Sequence, residues 1–172
     1  VEAIQAKNGS IIMNITIVGN LSAIESVVLR PEVSGKIVKI FFKDGENVKK
    51  GDPLYKIDDA IYAAKLKEAE ARLALNKEEH KRIIKLLEKN FGTLQQRDKA
   101  LAEAQGSEAV LEEAKIRLDN TIIKAPFDGV IGLSNVCVGA FVSESVELVN
   151  IVDLDPINVD FSIPESYLPY VH

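Results

Sequence analysis

Apolar and polar residues alternate over short distances in two stretches of this chain and follow a helical period between them. In "EVSGKIVKIFFKDGENVKKGDPLYKID", residues 32–58, apolar positions are threaded between Gly35, Gly45 and Gly51, which reads as short strands joined by tight turns. The stretch "FDGVIGLSNVCVGAFVSESVELVNIVD", residues 127–153, repeats it at a constant offset of 94 positions. That offset pairs Gly35 with Gly129, Ile37 with Ile131, Gly45 with Gly139, Val48 with Val142, Leu54 with Leu148, Ile57 with Ile151 and Asp59 with Asp153. Asp44-Gly45 is a hairpin signal and Gly51-Asp52-Pro53 a second turn. Ser145 stands where the first copy has Gly51, so that turn is expected to be built differently in the second copy. One copy alone is too small to be stable; two facing each other bury a shared apolar face as a small sandwich.

Between the copies the period changes. From Ala60 to Asn90, Leu66, Leu73 and Leu87 recur at seven-residue spacing with Ala69 and Ile83 at the intermediate positions, which predicts a helix with a packing stripe. From Thr93 to about Ile122 the device recurs with Leu94, Leu101, Ala104, Leu111 and Leu118. Asn90-Phe91-Gly92 breaks the pattern, and Thr93-Leu94-Gln95-Gln96 is a capping-box sequence that opens the second arm. A turn at Gly106 would leave two unequal arms that could not both return to the sandwich, so Gly106 is read as a weak point inside a helix, costing about 1 kcal/mol against Ala. Arms of about 30 residues reach roughly 45 Å. Pro31 and Pro126 push their predecessors to extended geometry where the chain enters sheet. The runs "IIMNITIVG" and "INVDFSI" at the two ends read as strands of a second β domain, and "PESYLPYVH" as the start of a helix.

Composition narrows the function classes. The 172 residues carry a net charge of −5 and a pI near 5.2, with 6% aromatics and no Trp, which is neither a basic groove nor a base-stacking platform for nucleic acid. The longest apolar runs are a few residues, far short of the roughly 20 that span a bilayer. The chain starts at Val1 with no leader-like segment, and a trimmed piece of a longer protein is expected. Cys137, between Val136 and Val138, is expected to be a small buried residue. No metal site and no cofactor is expected: His80 and His172 have no cysteine cluster near them. Asp58 and Asp59 sit at a strand-to-helix junction, where an N-cap and helix-dipole role outweighs acid/base catalysis. Ser34 and Ser143 have no His or other base to activate them, and no catalytic residue is assigned.

The paired half-motifs, split by a helical hairpin, together with "TIIKAPFDGVIG" and "VDLDPINVDFSIPE", resemble the periplasmic adaptors, or membrane fusion proteins, of bacterial tripartite efflux pumps, in particular those serving resistance-nodulation-division transporters. The resemblance covers nearly the whole chain. It implies an α+β fold: a lipoyl-like β-sandwich split by a long antiparallel coiled-coil hairpin, with partial β-barrel strands at both chain ends. The implied division is 1–23 for partial barrel or membrane-proximal strands, 24–58 for the first half-motif and 59–122 for the hairpin with its tip near 90–92. The second half-motif follows at 123–153, and a β-barrel domain starts at 154–172. The implied partners are an inner-membrane transporter, an outer-membrane channel of the TolC type and further copies of the adaptor, in the periplasm with an inner-membrane anchor. The runner-up readings are an adaptor of an ABC-type exporter or type I secretion system and, from another class, a lipoyl or biotinyl carrier domain. The carrier's lysine motif would be Asp98-Lys99-Ala100, which falls on the second helix and not in a β-turn.

Around the hairpin tip such adaptors show an Arg, a Leu four residues on and a Ser or Thr seven further; here these are Arg82, Leu86 and Thr93. Each has an ordinary reading: a solvated helix residue, hairpin packing and an N-cap. Together, beside an independently placed turn, they imply docking to the outer-membrane channel.

Overall fold

The computed structural model describes residues 18–162. Of the expected strand at 11–19, residues 11–17 lie outside the described residues, as does the expected helix start at Pro164.

Two four-stranded antiparallel sheets and two helices make up the described chain. The strands are β1 (Gly19–Leu29), β2 (Gly35–Ile40), β3 (Asn47–Val48) and β4 (Pro53–Ile57) before the helices, and β5 (Ile122–Lys124), β6 (Gly129–Ile131), β7 (Phe141–Val142) and β8 (Val149–Phe161) after them. One sheet has the order β1-β8-β6-β3 and the other β5-β4-β2-β7. Each sheet therefore has two central strands from one copy, β8 and β6 or β4 and β2, and takes an edge strand, β3 or β7, from the other.

The exchange is reciprocal down to single hydrogen bonds. Gly45 N donates to Ile131 O at 3.0 Å, and Gly139 N, the equivalent of Gly45, donates to Ile37 O at 2.8 Å. Ile37 N donates to Ala140 O and Ile131 N to Glu46 O, again equivalent positions. Gly45 and Gly139 both have positive φ, at 79° and 96°, so each copy needs glycine at the same point of its crossing. The Asp44-Gly45 turn is present, yet it does not close the expected hairpin: β2 and β3 belong to different sheets, and β3 pairs with β6. The later turns also correspond. Asp52 N donates to Lys49 O and Val146 N to Ser143 O, but Gly51 has φ 90° whereas Ser145 has none of the left-handed backbone that would demand glycine.

The eight apolar residues paired by the offset, Ile37, Val48, Leu54, Ile57, Ile131, Val142, Leu148 and Ile151, are all buried in one core cluster. Tyr55 joins them: its ring meets Phe42 edge-on at 5.2 Å, and its hydroxyl contacts Ser134 Oγ at 2.8 Å and donates to Leu148 O at 3.3 Å. Cys137 is exposed, contrary to the expectation; β6 ends at Ile131, so the inward-outward alternation that would have buried it does not reach the following loop. Beyond the core, β1 and β8 continue as a two-stranded ribbon from Gly19↔Phe161, with a register shift between Ala23 and Glu25.

The helices α1 (Ala60–Glu88) and α2 (Leu94–Asp119) span 29 and 26 residues and pack on each other as an antiparallel pair. At the root, Ile57 N donates to Thr121 O at 2.8 Å, so the chain leaves and re-enters the sandwich side by side. Asp59 holds the N-cap position of α1 without a side-chain cap bond; its carboxylate pairs with Lys56 at 3.2 Å instead, and Asp58 Oδ1 accepts from Ala60 N. On α1 the expected stripe faces inward, with Ala69 and Leu73 buried and Leu66, Ile83 and Leu87 half-buried. On α2 the expected stripe holds at Ala104, Leu111 and Leu118 and is corrected at Leu94 and Leu101. Ala100, Ala104 and Ser107 are buried and Leu111, Ala114 and Leu118 half-buried, while Leu94 and Leu101 point outward. Seven-residue spacing alone fits two neighbouring rows of a helix; in its first half α2 turns small residues inward, and in its second half Leu111 and Leu118. Gly106 lies within α2 with open space around it.

Candidate functional site

The far end of the hairpin is built by two interlocking caps. At the end of α1, Phe91 N donates to Leu86 O at 2.8 Å and Asn90 N to Leu87 O at 2.9 Å, with Asn90 at φ 61°. That is a Schellman arrangement with asparagine, the non-glycine residue best suited to left-handed backbone, at the reversal. A Cβ on Gly92 would lie 3.2 Å from Leu87 N, so the chain passes too close to α1 for a larger residue to fit without movement. Thr93 then opens α2 with a full capping box: its hydroxyl oxygen accepts from Gln96 N at 3.2 Å and Gln96 Oε1 accepts from Thr93 N at 2.9 Å. Local sequence thus fixes the turn within four residues.

Arg82 and Leu86, one turn apart on α1, open onto the same shallow cleft of about 240 Å³, shared with Glu78, Lys81, Lys85 and Lys89. Arg82 is exposed and pairs with Glu79. Lys81 Nζ donates to Glu78 at 2.6 Å, and this bond, with the ammonium's charge, holds the Glu78 carboxyl below its usual range. Leu86 is 42% exposed, so hairpin packing uses only part of it. Thr93 does not line the cleft; its oxygen is engaged in the cap while its O–H remains able to donate. The three residues read from the sequence therefore divide into a cleft pair and a cap.

Sequence reasoning missed four neighbours of this site. Phe91 is 80% exposed at the apex and Leu94 60% exposed on the first turn of α2, while Lys85 and Lys89 add positive charge to the cleft. An aromatic residue in a turn between two helices was the available signal. Elsewhere the chemistry is sparse. Among the described residues no group of three or more His, Cys, Asp or Glu could hold a metal, and no helix is long and apolar enough to cross a membrane. His80 is half-buried on the α1 stripe, and Lys99 lies exposed on α2, 3.9 Å from Glu103, not in a β-turn.

Residues 25–154 match the family model described as the RND MFP, barrel-sandwich hybrid domain. The Multidrug resistance protein MexA of Pseudomonas aeruginosa is 35% identical over 161 residues, 92% of this chain and 42% of that protein. The toluene efflux pump periplasmic linker protein TtgA of Pseudomonas putida is 39% identical over 144 residues, 83% of this chain and 38% of that protein. Among solved structures, a MacA-MexA chimeric protein containing the Pseudomonas aeruginosa MexA alpha-hairpin domain superposes with a TM-score of 0.77 at 34% identity, covering 88% of this chain and 56% of the other. A putative efflux transporter from Bacteroides eggerthii gives a TM-score of 0.77 at 26% identity, covering 88% and 46%. The chain spans about two fifths of the length of the curated relatives it matches.

Proposed function

We propose a function from one premise: the chain belongs to the RND-type membrane fusion proteins, a family of non-enzymatic periplasmic adaptors. It is the connecting part of an adaptor that joins an inner-membrane resistance-nodulation-division transporter to an outer-membrane channel of the TolC type, in the efflux of drugs or other toxic compounds. The work is structural. Several copies pack around the exit path, the hairpin supplies reach and tip contacts, and the transporter supplies the energy. The observation that carries this reading is the family match over 25–154, which takes in both half-motifs and the hairpin between them.

Residues 24–58 and 123–153 are assigned as the two halves of a lipoyl-like sandwich and 59–122 as the hairpin. Residues 1–23 and 154–172 are assigned to an adjoining β-barrel or membrane-proximal part, anchored at the inner membrane. Support for the outer boundaries comes from the register shift between Ala23 and Glu25, and from β8, which is buried at Val149 and Ile151 and exposed from Leu154 onward.

Arg82, Leu86 and Thr93 are assigned to docking on the channel. Leu86→Asp in the full-length adaptor places an uncompensated charge where a contact would desolvate it. The expected outcome is loss of drug resistance in cells, with hairpin helicity and melting temperature unchanged. Unchanged resistance, or lost resistance accompanied by a melted hairpin, removes the assignment.

A further inference from the structure

The geometry points to Phe91 as the apolar anchor of the tip, seated beside a positive collar formed by Lys85 and Lys89, and hence to a partner surface with an apolar hollow rimmed by carboxylates. The inference rests on the docking reading above and names the chemistry of its partner.

Turns between helices are ordinarily polar, and this one places its largest apolar side chain at the point farthest from the sandwich. The Schellman geometry often pairs the residue at Phe91's position with the one at Leu86's position, which would be reason enough for an apolar residue here. At 80% exposure, however, Phe91 covers little of the hairpin, and Leu86 remains 42% exposed as well. With Leu94 at 60%, three large apolar side chains surround a reversal that hydrogen bonds from Asn90, Phe91 and Thr93 already hold. The backbone does not need Phe91 to close, and the ring is free to enter another molecule. An aromatic ring on a rigid turn loses little side-chain freedom when it is buried, which is why such residues dominate binding energy at interfaces.

The unpaired charges lining the cleft are positive, while Glu88, also without an ion pair among the described residues, ends α1 outside it. In the cleft beside Leu86, Lys81 is engaged by Glu78 and Arg82 by Glu79, whereas Lys85 and Lys89 make no ion pair among the described residues. Both stand near the C-terminus of α1, where a cation also steadies the helix dipole. That role needs charge but leaves it exposed, so the same ammonium groups steer an acidic surface toward the tip.

The test measures binding of the full-length adaptor to a purified TolC-type channel in detergent, at about 0.05 M and about 0.3 M salt, with hairpin helicity and melting followed on every variant. Phe91→Ala is expected to weaken binding by at least about tenfold at both salts, and Phe91→Leu to stay within about threefold of the parent. Lys85→Gln with Lys89→Gln is expected to slow association and flatten its salt dependence. Helicity and melting should stay unchanged throughout. Parent-like binding by Phe91→Ala while Leu86→Asp fails to bind overturns the anchor and leaves tip docking standing. Parent-like binding by both variants, or no binding by the parent, overturns the docking reading and the anchor with it. A melted hairpin in Phe91→Ala assigns the ring to the fold and also overturns the anchor, and an unchanged salt dependence in the lysine variant overturns the collar.

Discussion

The sandwich and the hairpin are stabilised by opposite means. In the sandwich, Ile37, Leu54, Ile57, Ile131, Leu148 and Ile151 are at most 1% exposed, and burial of one such side chain contributes roughly 1.5–3 kcal/mol. The hairpin fully buries only Ala69, Leu73, Ala100, Ala104 and Ser107, and its ion pairs are exposed ones that contribute about 0–1 kcal/mol each. A duplicated motif closes on itself by trading edge strands, so its core is large for its length. A two-helix arm has only one seam. That seam buries small residues on α2 with Leu111 and Leu118 half-buried beside them, and Leu86, Leu94 and Leu101 remain exposed.

The largest effect that tests this contrast comes from truncating equivalent leucines of the two copies. Leu54→Ala and Leu148→Ala should each cost about 2–5 kcal/mol, because both side chains are fully buried on the shared face. Leu101→Ala, on the outward row of α2, should stay within about 0.5 kcal/mol. Urea unfolding followed by circular dichroism gives both numbers. Comparable losses at Leu54 and Leu101 would show that the arm carries as much stability as the sandwich and would dissolve the contrast.

What the sequence made legible follows the same division. The offset of 94 is visible because both copies must fill one core, so Ile37 and Ile131, or Leu54 and Leu148, meet the same steric demand. The capping box at Thr93 was legible because it is closed within three residues. The strand exchange was not, since the Asp44-Gly45 turn looks the same whether the next strand pairs with β2 or crosses to β6. The α2 stripe was misread for a chemical reason. Leucines at 94 and 101 draw the eye, whereas Ala100 and Ser107, which take the buried places beside the correctly read Ala104, carry little hydrophobic signal. Of the site, Arg82, Leu86 and Thr93 were reached through a family spacing, and Phe91 was passed over because a single exposed aromatic has no period.

A smaller effect sharpens the account of the seam. Asn76 Nδ2 donates to Ser107 Oγ at 2.5 Å, and Ser107 Oγ donates to Glu103 O at 2.9 Å, a partly buried polar link between the helices beside the exposed Lys77–Glu108 pair. Such a pair discriminates between registers of two helices because a slip leaves a partly buried amide without a partner. Asn76→Ala and Ser107→Ala should each lower hairpin stability by about 1 kcal/mol, with a coupling of about 0.5–1.5 kcal/mol in the double-mutant cycle. Purely additive losses would mean that the link does not help to hold the register.

The smallest effect concerns the sandwich alone and has its distinguishing signature at alkaline pH. Burial pushes the Tyr55 hydroxyl above the usual tyrosine value; the hydrogen bond with Ser134 opposes the shift and the negative charge of Asp44 adds to it. The folded protein therefore holds this proton more tightly than the unfolded chain does. The resulting stability is fully present below the unfolded value of about 10 and is lost as the pH rises through the higher folded value. Tyr55→Phe removes the titrating group together with its bonds to Ser134 and Leu148, and Leu148 O keeps a donor in Asn135 N. The variant should lose about 1 kcal/mol or less at neutral pH and show a flatter decline between about pH 9 and pH 11. Denaturant titrations across that range on parent and variant check the sign. An equally steep alkaline decline in Tyr55→Phe would assign the titration to another group and leave Tyr55 a packing residue of the shared core.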